Sequence, residues 1–166
     1  DEQAQITVYE MSQHVSYANC GLPYFVSDVI SRRDNLLLQT PDALWNRFRI
    51  KAKVQHMVTA INREAKTVEV KNLATGKITN DTYDKLVIAT GARPRKLDVP
   101  GIERALCLRN VTDADSVKQA LQDAENKTVA ILGAGFIGIE LAENIRHIDI
   151  PVTIIQRSNS ILGQFD

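Results

Sequence analysis

The sequence predicts an α/β protein, with parallel strands joined through helices and an antiparallel β ribbon among them. Three observations predict it. Apolar spacing along the chain switches between the strand period and the helix period. A glycine-rich turn, Gly133-Ala134-Gly135-Phe136-Ile137-Gly138, stands directly after an apolar run and directly before an amphipathic one. From Ile50 to Tyr83 the period is two, broken by Ala74-Thr75-Gly76, which is the spacing of a ribbon and its turn.

The elements follow in order. Ile6, Val8 and Tyr9 predict a short strand ending at Glu10. Gly21-Leu22-Pro23 opens an amphipathic segment through Phe25, Val26, Val29 and Ile30; proline suits a first helical position, where its missing donor is not needed. Thr40-Pro41-Asp42 reads as a cap for a helix over Ala43 to Phe48, with Trp45 and Phe48 expected in the core. Lys53-Val54, His56 to Ile61, Thr67 to Lys71 and Lys77 to Thr79 read as strands of the ribbon. Asp84 to Ala89 reads as a buried parallel strand. Asp113 to Ala124 has helical spacing, with Val117, Ala120 and Leu121 on one face. Val129 to Leu132, Gly138 to Arg146 and Val152 to Ile155 then read as strand, helix, strand.

Composition narrows the function classes. Twenty basic residues balance twenty acidic ones, so no net charge draws the chain to nucleic acid or an anionic membrane. Its longest apolar runs, such as Leu86 to Ala89, are too short to span a bilayer. Cys20 and Cys107 are its only cysteines, which leaves no disulfide framework and predicts a reducing, cytoplasmic setting. His14, His56 and His147 are far apart and follow no metal-ligand spacing; no metal is expected. Cys107 lies in the apolar run Ala105-Leu106-Cys107-Leu108 and reads as core. Arg93, Arg95 and Lys96 suit a phosphate contact or a solvated loop equally well.

The glycine turn carries the sharpest chemistry. Its G-x-G-x-x-G pattern between strand and helix is the fingerprint of a Rossmann-like dinucleotide site. Gly133 permits the tight turn, Gly135 lets backbone approach a pyrophosphate, and Gly138 lets helix and strand pack closely. Phe136 and Ile137 complete the turn, and the phosphates are expected at the helix start, where unpaired amides and the dipole favour an anion. A glycine turn without ligand is the alternative. Gln156 stands where an acid would bind the ribose hydroxyls of NADH, followed by Arg157. Glutamine does not repel a ribose phosphate and arginine pairs with one, so NADPH is expected at least as readily as NADH. A solvated surface arginine is the competing reading.

Ser16-Tyr17-Ala18-Asn19-Cys20-Gly21-Leu22-Pro23-Tyr24 resembles the active-site stretch of the single-cysteine flavoprotein disulfide reductases, the coenzyme A disulfide reductase and NADH oxidase family. The resemblance implies a two-dinucleotide-binding-domain flavoprotein with a three-layer ββα architecture. It makes Cys20 the catalytic thiol at a helix start, where a thiolate is favoured, with Asn19 and Ser16 near the substrate. A structural cysteine is the alternative. The resemblance also gives FAD contacts: Glu10 on the ribose, Val58 at the adenine, and Ala89, Thr90 and Gly91 at the turn that closes over the flavin. Glycine leaves room there because it has no Cβ.

No glycine-rich turn precedes Ile6, so the chain is expected to be a fragment. Residues 1–110 would be a partial FAD-binding domain lacking its first βα unit, and residues 111–166 the incomplete start of an NAD(P)-binding domain. Three functional readings follow. One is an NAD(P)H-dependent reductase of coenzyme A disulfide or another small disulfide, homodimeric as the full-length protein. Another is an NADH oxidase or peroxidase in which Cys20 cycles through sulfenic acid. A nucleotide-binding module without turnover is the third, from another class.

Overall fold

The computed structural model describes residues 3–95, 97–123 and 128–163. The elements in order are β1 (Ile6–Glu10), β2 (Ser16–Tyr17), a 3₁₀ turn (Asn19–Gly21), α1 (Leu22–Val26), β3 (Leu37–Gln39), α2 (Pro41–Phe48), β4 (Ile50–Val54), β5 (His56–Asn62), β6 (Thr67–Asn72), β7 (Ile78–Thr82), α3 (Val111–Asp123), β8 (Val129–Leu132), α4 (Phe136–His147) and β9 (Val152–Ile155). They form two compact units, one of residues 1–17 and 37–92, the other of residues 18–36 and 93–166.

In the first unit β1 and β4 pair in parallel, Ile6 opposite Ile50 through Glu10 opposite Val54. The chain reaches that pairing through α2, whose start matches its sequence signals. Pro41 occupies the first turn and the Thr40 hydroxyl accepts from the Ala43 N–H at 3.1 Å, closing one of the donors a helix start leaves open. Arg49 ends the helix in the left-handed region. Strands β5, β6 and β7 form an antiparallel sheet with β6 central. Val68 and Val70 of β6 are buried while Glu69 between them is not, the alternation of a strand with one covered face. Asn72 builds the β6–β7 turn, its side-chain oxygen accepting from the Ala74 and Thr75 N–H groups at 2.9 and 3.0 Å. Tyr9, Lys53 and Asp81 tie the two sheets of this unit: the Tyr9 hydroxyl donates to Asp81, and the Lys53 ammonium lies 3.1 Å from both.

Three expectations fail in this unit. Ile50–Val54 belongs to the parallel pair, not to the ribbon; a period of two is common to parallel and antiparallel strands and does not name the partner. Asp84 to Ala89 forms no strand, and Val87 and Ile88 are 85% and 69% exposed. An apolar run becomes a strand only where another edge takes its backbone groups, and no described strand pairs with it. Trp45 and Phe48 are exposed, their rings carrying the Arg49 and Arg47 guanidinium groups at 5.5 and 5.0 Å instead of packing inward.

The second unit holds the larger core. Leu22, Phe25, Val26 and Leu36 of the cysteine segment, Val111 and Ala114 of α3, Ile131 of β8, and Ala142 and Ile145 of α4 are buried. Strands β8 and β9 pair in parallel, Val129 opposite Val152 to Leu132 opposite Ile155, with α4 between them in sequence. That is a βαβ unit. The helix expected to run from Leu22 to Ile30 stops at Val26, because Asp28 takes a positive φ of 64°. On α3 the buried positions are Val111 and Ala114, and Ala120 is exposed, so the predicted apolar face starts a turn too late. The predicted end of that helix at Ala124 lies outside the described residues. Cys107 is exposed in a segment without strand structure, not core. Lys96, one of the three loop cations, also lies outside the described residues.

Candidate functional site

The glycine-rich turn lies between β8 and α4. Gly133 has φ 107°, a conformation open to glycine and strained for other residues. Its N–H donates to the Ile155 carbonyl at 2.9 Å, locking the turn to β9. A Cβ on Gly138 would run into the Gly133 carbonyl oxygen and come within 3.4 Å of Ile131, so that glycine sets the approach of helix to strand. A Cβ on Gly135 would meet nothing within 4 Å. The space beside Gly135 is open, and no side chain caps α4. Phe136 and Ile137 flank the turn with exposed side chains. A pyrophosphate fits this arrangement: there is room at Gly135, at the start of a twelve-residue helix whose N-cap residue makes no side-chain cap bond.

Gln156, at the end of β9, turns toward the same loop. Its side-chain oxygen accepts from the Ala134 N–H at 3.2 Å and its amide nitrogen donates to Ser158 at 2.8 Å. A neutral side chain thus stands at the end of β9 facing the glycine turn, with Arg157 exposed beside it.

Asn19 and Cys20 occupy the 3₁₀ turn before α1, and both are exposed. The turn is fixed from below: the Ala18 N–H donates to the Leu36 carbonyl at 2.8 Å and the Gly21 N–H to the Ala18 carbonyl at 3.0 Å. Gly21 is packed tightly, since a Cβ there would meet Ile30 and Leu36 at 3.1 Å. With only five residues, α1 supplies little of the dipole that the sequence argument assigned to it. What the turn offers is access, a thiol on an exposed bend held by buried neighbours.

Several residues that sequence reasoning missed tie the cysteine segment to α3, its flank and α4. Arg109 donates to the Asn19 side-chain oxygen at 3.3 Å. Tyr24, one turn beyond Cys20, donates to Glu140 on α4. That hydrogen bond, and then the Glu140 charge, holds the phenol above its ordinary 10.0, with burial, Glu143 and Cys20 adding in the same direction. The Ser27 hydroxyl donates to Asn144 of α4 at 2.7 Å, buried. Arg33 is paired with Asp115 on α3 through two guanidinium nitrogens at 3.0 and 2.8 Å, and that hydrogen bonding raises its pKa further. None of these partners is close in sequence, so no local spacing announces them.

The first unit carries the residues expected at FAD. Glu10 ends β1 and one carboxylate oxygen accepts from the Ser12 N–H at 2.7 Å, which fixes the side chain at the carboxyl end of a parallel strand, where ligands of this fold bind. Val58 lies on β5 at a register shift. Ala89, Thr90 and Gly91 are exposed and irregular, with Gly91 at φ 68°. Ser16 lies in β2, opposite Gln39. These residues fit a flavin nucleotide as far as an acid at a strand end and an open glycine turn define one. Among the described residues no group of histidine, cysteine and carboxylate side chains could hold a metal, and no helix is long and apolar enough to cross a membrane.

A βαβ unit with a glycine-rich first turn defines a Rossmann-like fold with a candidate dinucleotide site, and the same chain presents an exposed cysteine on a short bend. The chain belongs to the pyridine nucleotide-disulphide oxidoreductase family, whose model matches residues 1–166. It is 35% identical over 161 residues to the coenzyme A disulfide reductase of Staphylococcus haemolyticus, a match covering 97% of this chain and 36% of that protein. Among solved structures, reduced Bacillus anthracis CoADR-RHD superposes with a TM-score of 0.93 at 38% identity, over 98% of this chain and 30% of that one. The water-forming NADH oxidase from Lactobacillus brevis bound to NADH superposes with 0.88 at 29% identity, over 97% and 36%. The chain therefore spans about a third of the length of these relatives.

Proposed function

We propose that the full-length protein is a flavin-dependent NAD(P)H:disulfide oxidoreductase that reduces coenzyme A disulfide through Cys20. The observation that carries the reading is the exposed thiol of Cys20 in the Asn19–Gly21 turn, in a chain whose relatives include coenzyme A disulfide reductases. In this reading residues 1–110 are part of an FAD-binding domain and residues 111–166 begin an NAD(P)-binding domain. Glu10, Val58, Ala89, Thr90 and Gly91 would hold FAD, and the Gly133–Gly138 turn would hold the nicotinamide nucleotide's pyrophosphate. Bound FAD supplies the passage of two electrons from a hydride donor to sulfur.

The chemistry at the protein's own sulfur is an exchange. The Cys20 thiolate attacks one sulfur of the substrate; a bond forms between them, the original S–S bond breaks, and one coenzyme A thiolate leaves. Two electrons from NAD(P)H and a proton then return Cys20 to its starting form and release the second coenzyme A. The exposed bend lets a bulky disulfide reach the sulfur in line, and Asn19 contacts the substrate from the neighbouring position. Gln156 and Arg157 favour NADPH at least equally with NADH, since neither repels a ribose phosphate.

The likeness to the Lactobacillus brevis NADH oxidase favours a second reading, in which Cys20 cycles through sulfenic acid with an oxygen species as acceptor. Steady-state turnover by the full-length protein separates them. Consumption of NADPH that depends on coenzyme A disulfide, and is lost in Cys20→Ser, supports the first reading. Equal consumption with oxygen alone overturns it.

A further inference from the structure

Asn19 has a donor end and an acceptor end, and a substrate approaching Cys20 meets only one of them. The structure assigns the choice to a residue outside the cysteine segment: we propose that Arg109 is a positioning residue that turns the Asn19 amide so that its N–H₂ group faces the substrate, making the site selective for disulfides with a carbonyl acceptor a few bonds from sulfur. This inference rests on the reading of Cys20 as the disulfide-attacking thiol.

The argument is one of donor and acceptor identity. A guanidinium carries only donors. Arg109 Nη1 lies 3.3 Å from Asn19 Oδ1, and that contact holds only with the amide oxygen toward the arginine. The amide nitrogen, with both its hydrogens, then points away from it. A flipped amide would set donor against donor. Asn19 is exposed, and its neighbour in the chain is Cys20.

Arg109 is itself held where it can do this. It immediately precedes the start of α3, where Asn110 and Asp113 cap the helix reciprocally. The Asp113 carboxylate accepts from the Arg109 and Asn110 N–H groups at 2.9 and 3.2 Å, and Asn110 Oδ1 accepts from the Asp113 N–H at 2.8 Å. Farther along α3, Asp115 holds Arg33 at 2.8 Å, and the Lys118 ammonium contacts Asp28 at 2.5 Å and the Phe25 carbonyl at 3.3 Å. Helix α3 is thus pinned at three levels to the 18–36 segment, and the first level is the Arg109–Asn19 contact. The two lower pairs fix the helix; the uppermost orients the side chain beside the thiol.

The substrate class follows from the exposed donor. An amide N–H₂ discriminates in favour of a ligand carrying a carbonyl oxygen, because a ligand without one leaves the donor unmatched when water is displaced. Coenzyme A and pantetheine carry an amide carbonyl close to the sulfur; ethanethiol carries no acceptor at all.

The test is the ratio of kcat/KM for pantethine to that for diethyl disulfide, which has no hydrogen-bond acceptor beside its sulfurs, measured on the full-length FAD-loaded protein. Arg109→Met should lower the ratio about ten-fold, as expected for one hydrogen bond, chiefly through KM for pantethine. Arg109→Lys, which restores a donor to Asn19 Oδ1, should recover part of it. Asn19→Asp keeps an acceptor for Arg109 and removes the N–H₂ group, so it should lower the ratio at least as far with the melting temperature held. An unchanged ratio in Arg109→Met, or an equal loss on both disulfides, overturns the inference while Cys20→Ser still abolishes turnover. Disulfide turnover that survives Cys20→Ser overturns the underlying reading, and the inference with it.

Discussion

Replacing the fingerprint glycines one at a time separates what the fold requires from what the ligand requires. In Gly138→Ala the new Cβ runs into the Gly133 carbonyl oxygen and stands 3.2 Å from the Gly133 carbonyl carbon and 3.4 Å from Ile131 Cγ2. Backbone cannot rotate aside as a side-chain tip can, so α4 must shift from β8. A clash with backbone takes the upper part of the overpacking range, ~2–3 kcal/mol, and the better helix propensity of alanine returns about 1 kcal/mol; a net loss of roughly 1–2 kcal/mol remains. In Gly135→Ala the Cβ meets nothing within 4 Å, and the residue already holds an extended backbone with φ −80°. The lower entropy of the unfolded alanine chain, ~0.4–1 kcal/mol, is offset by the poorer N-cap of alanine, about 0.5 kcal/mol, leaving stability near its starting value. The open space the Cβ fills is where the pyrophosphate is expected, so nucleotide affinity should fall at least about ten-fold, or ~1.4 kcal/mol. Thermal unfolding without nucleotide and NADPH titration by fluorescence, both on the full-length protein, measure the two effects separately. The reasoning is refuted if unliganded Gly135→Ala melts as low as Gly138→Ala, or if Gly135→Ala binds NADPH with unchanged affinity.

Three further perturbations follow from named contacts. Asn144→Ala removes a buried acceptor of the Ser27 hydroxyl and should destabilise by about 1–2 kcal/mol, the lower part of the usual range. The hydroxyl can turn to the Tyr24 carbonyl 3.2 Å away. Urea unfolding in a cycle with Ser27→Ala should give a coupling of roughly 1 kcal/mol, and strict additivity would show that the bond contributes nothing. The phenol of Tyr24 is held above its ordinary 10.0 by Glu140. A raised folded pKa adds stability that is complete below the unfolded value and fades as pH climbs through the folded one. The melting temperature of the wild type should therefore approach that of Tyr24→Phe only above pH 10.0; a difference that instead disappears in mild acid contradicts the assignment. Gln156→Glu places a carboxylate at the ribose position and should move nucleotide preference toward NADH by about ten-fold or more, read as the ratio of kcat/KM for the two nucleotides.

The dinucleotide turn was legible because its whole signal is local. Strand, glycine turn and helix lie within Val129 to His147, and each glycine answers to a neighbour in that stretch or to the expected ligand. The ribbon turn was legible for the same reason, Asn72 and Gly76 closing it within five residues. Capping at Thr40 belongs to the same class. In each case the determining interaction spans fewer residues than one element.

Expectations failed where the determining partner lies far off in sequence. Ile50–Val54 and the ribbon strands share one periodicity, and only β1, more than forty positions earlier, shows that Ile50–Val54 pairs in parallel. Leu86 to Ala89 has the composition of a buried strand, yet composition supplies side chains and not the edge that must accept the backbone. The cysteine turn shows the limit most clearly. Its residues were found by resemblance, but the side chains that its segment meets across the fold, Arg109, Glu140 and Asn144, sit on segments whose own sequence reads as helix start or helix surface. Asn110 and Asp113 do carry the spacing of a reciprocal cap, a local signal that fixes the backbone at residue 109. What spacing cannot supply is the acceptor that the Arg109 guanidinium meets ninety positions away. Local signals therefore fixed the frame on which Arg109 stands, and only the fold joined it to Asn19.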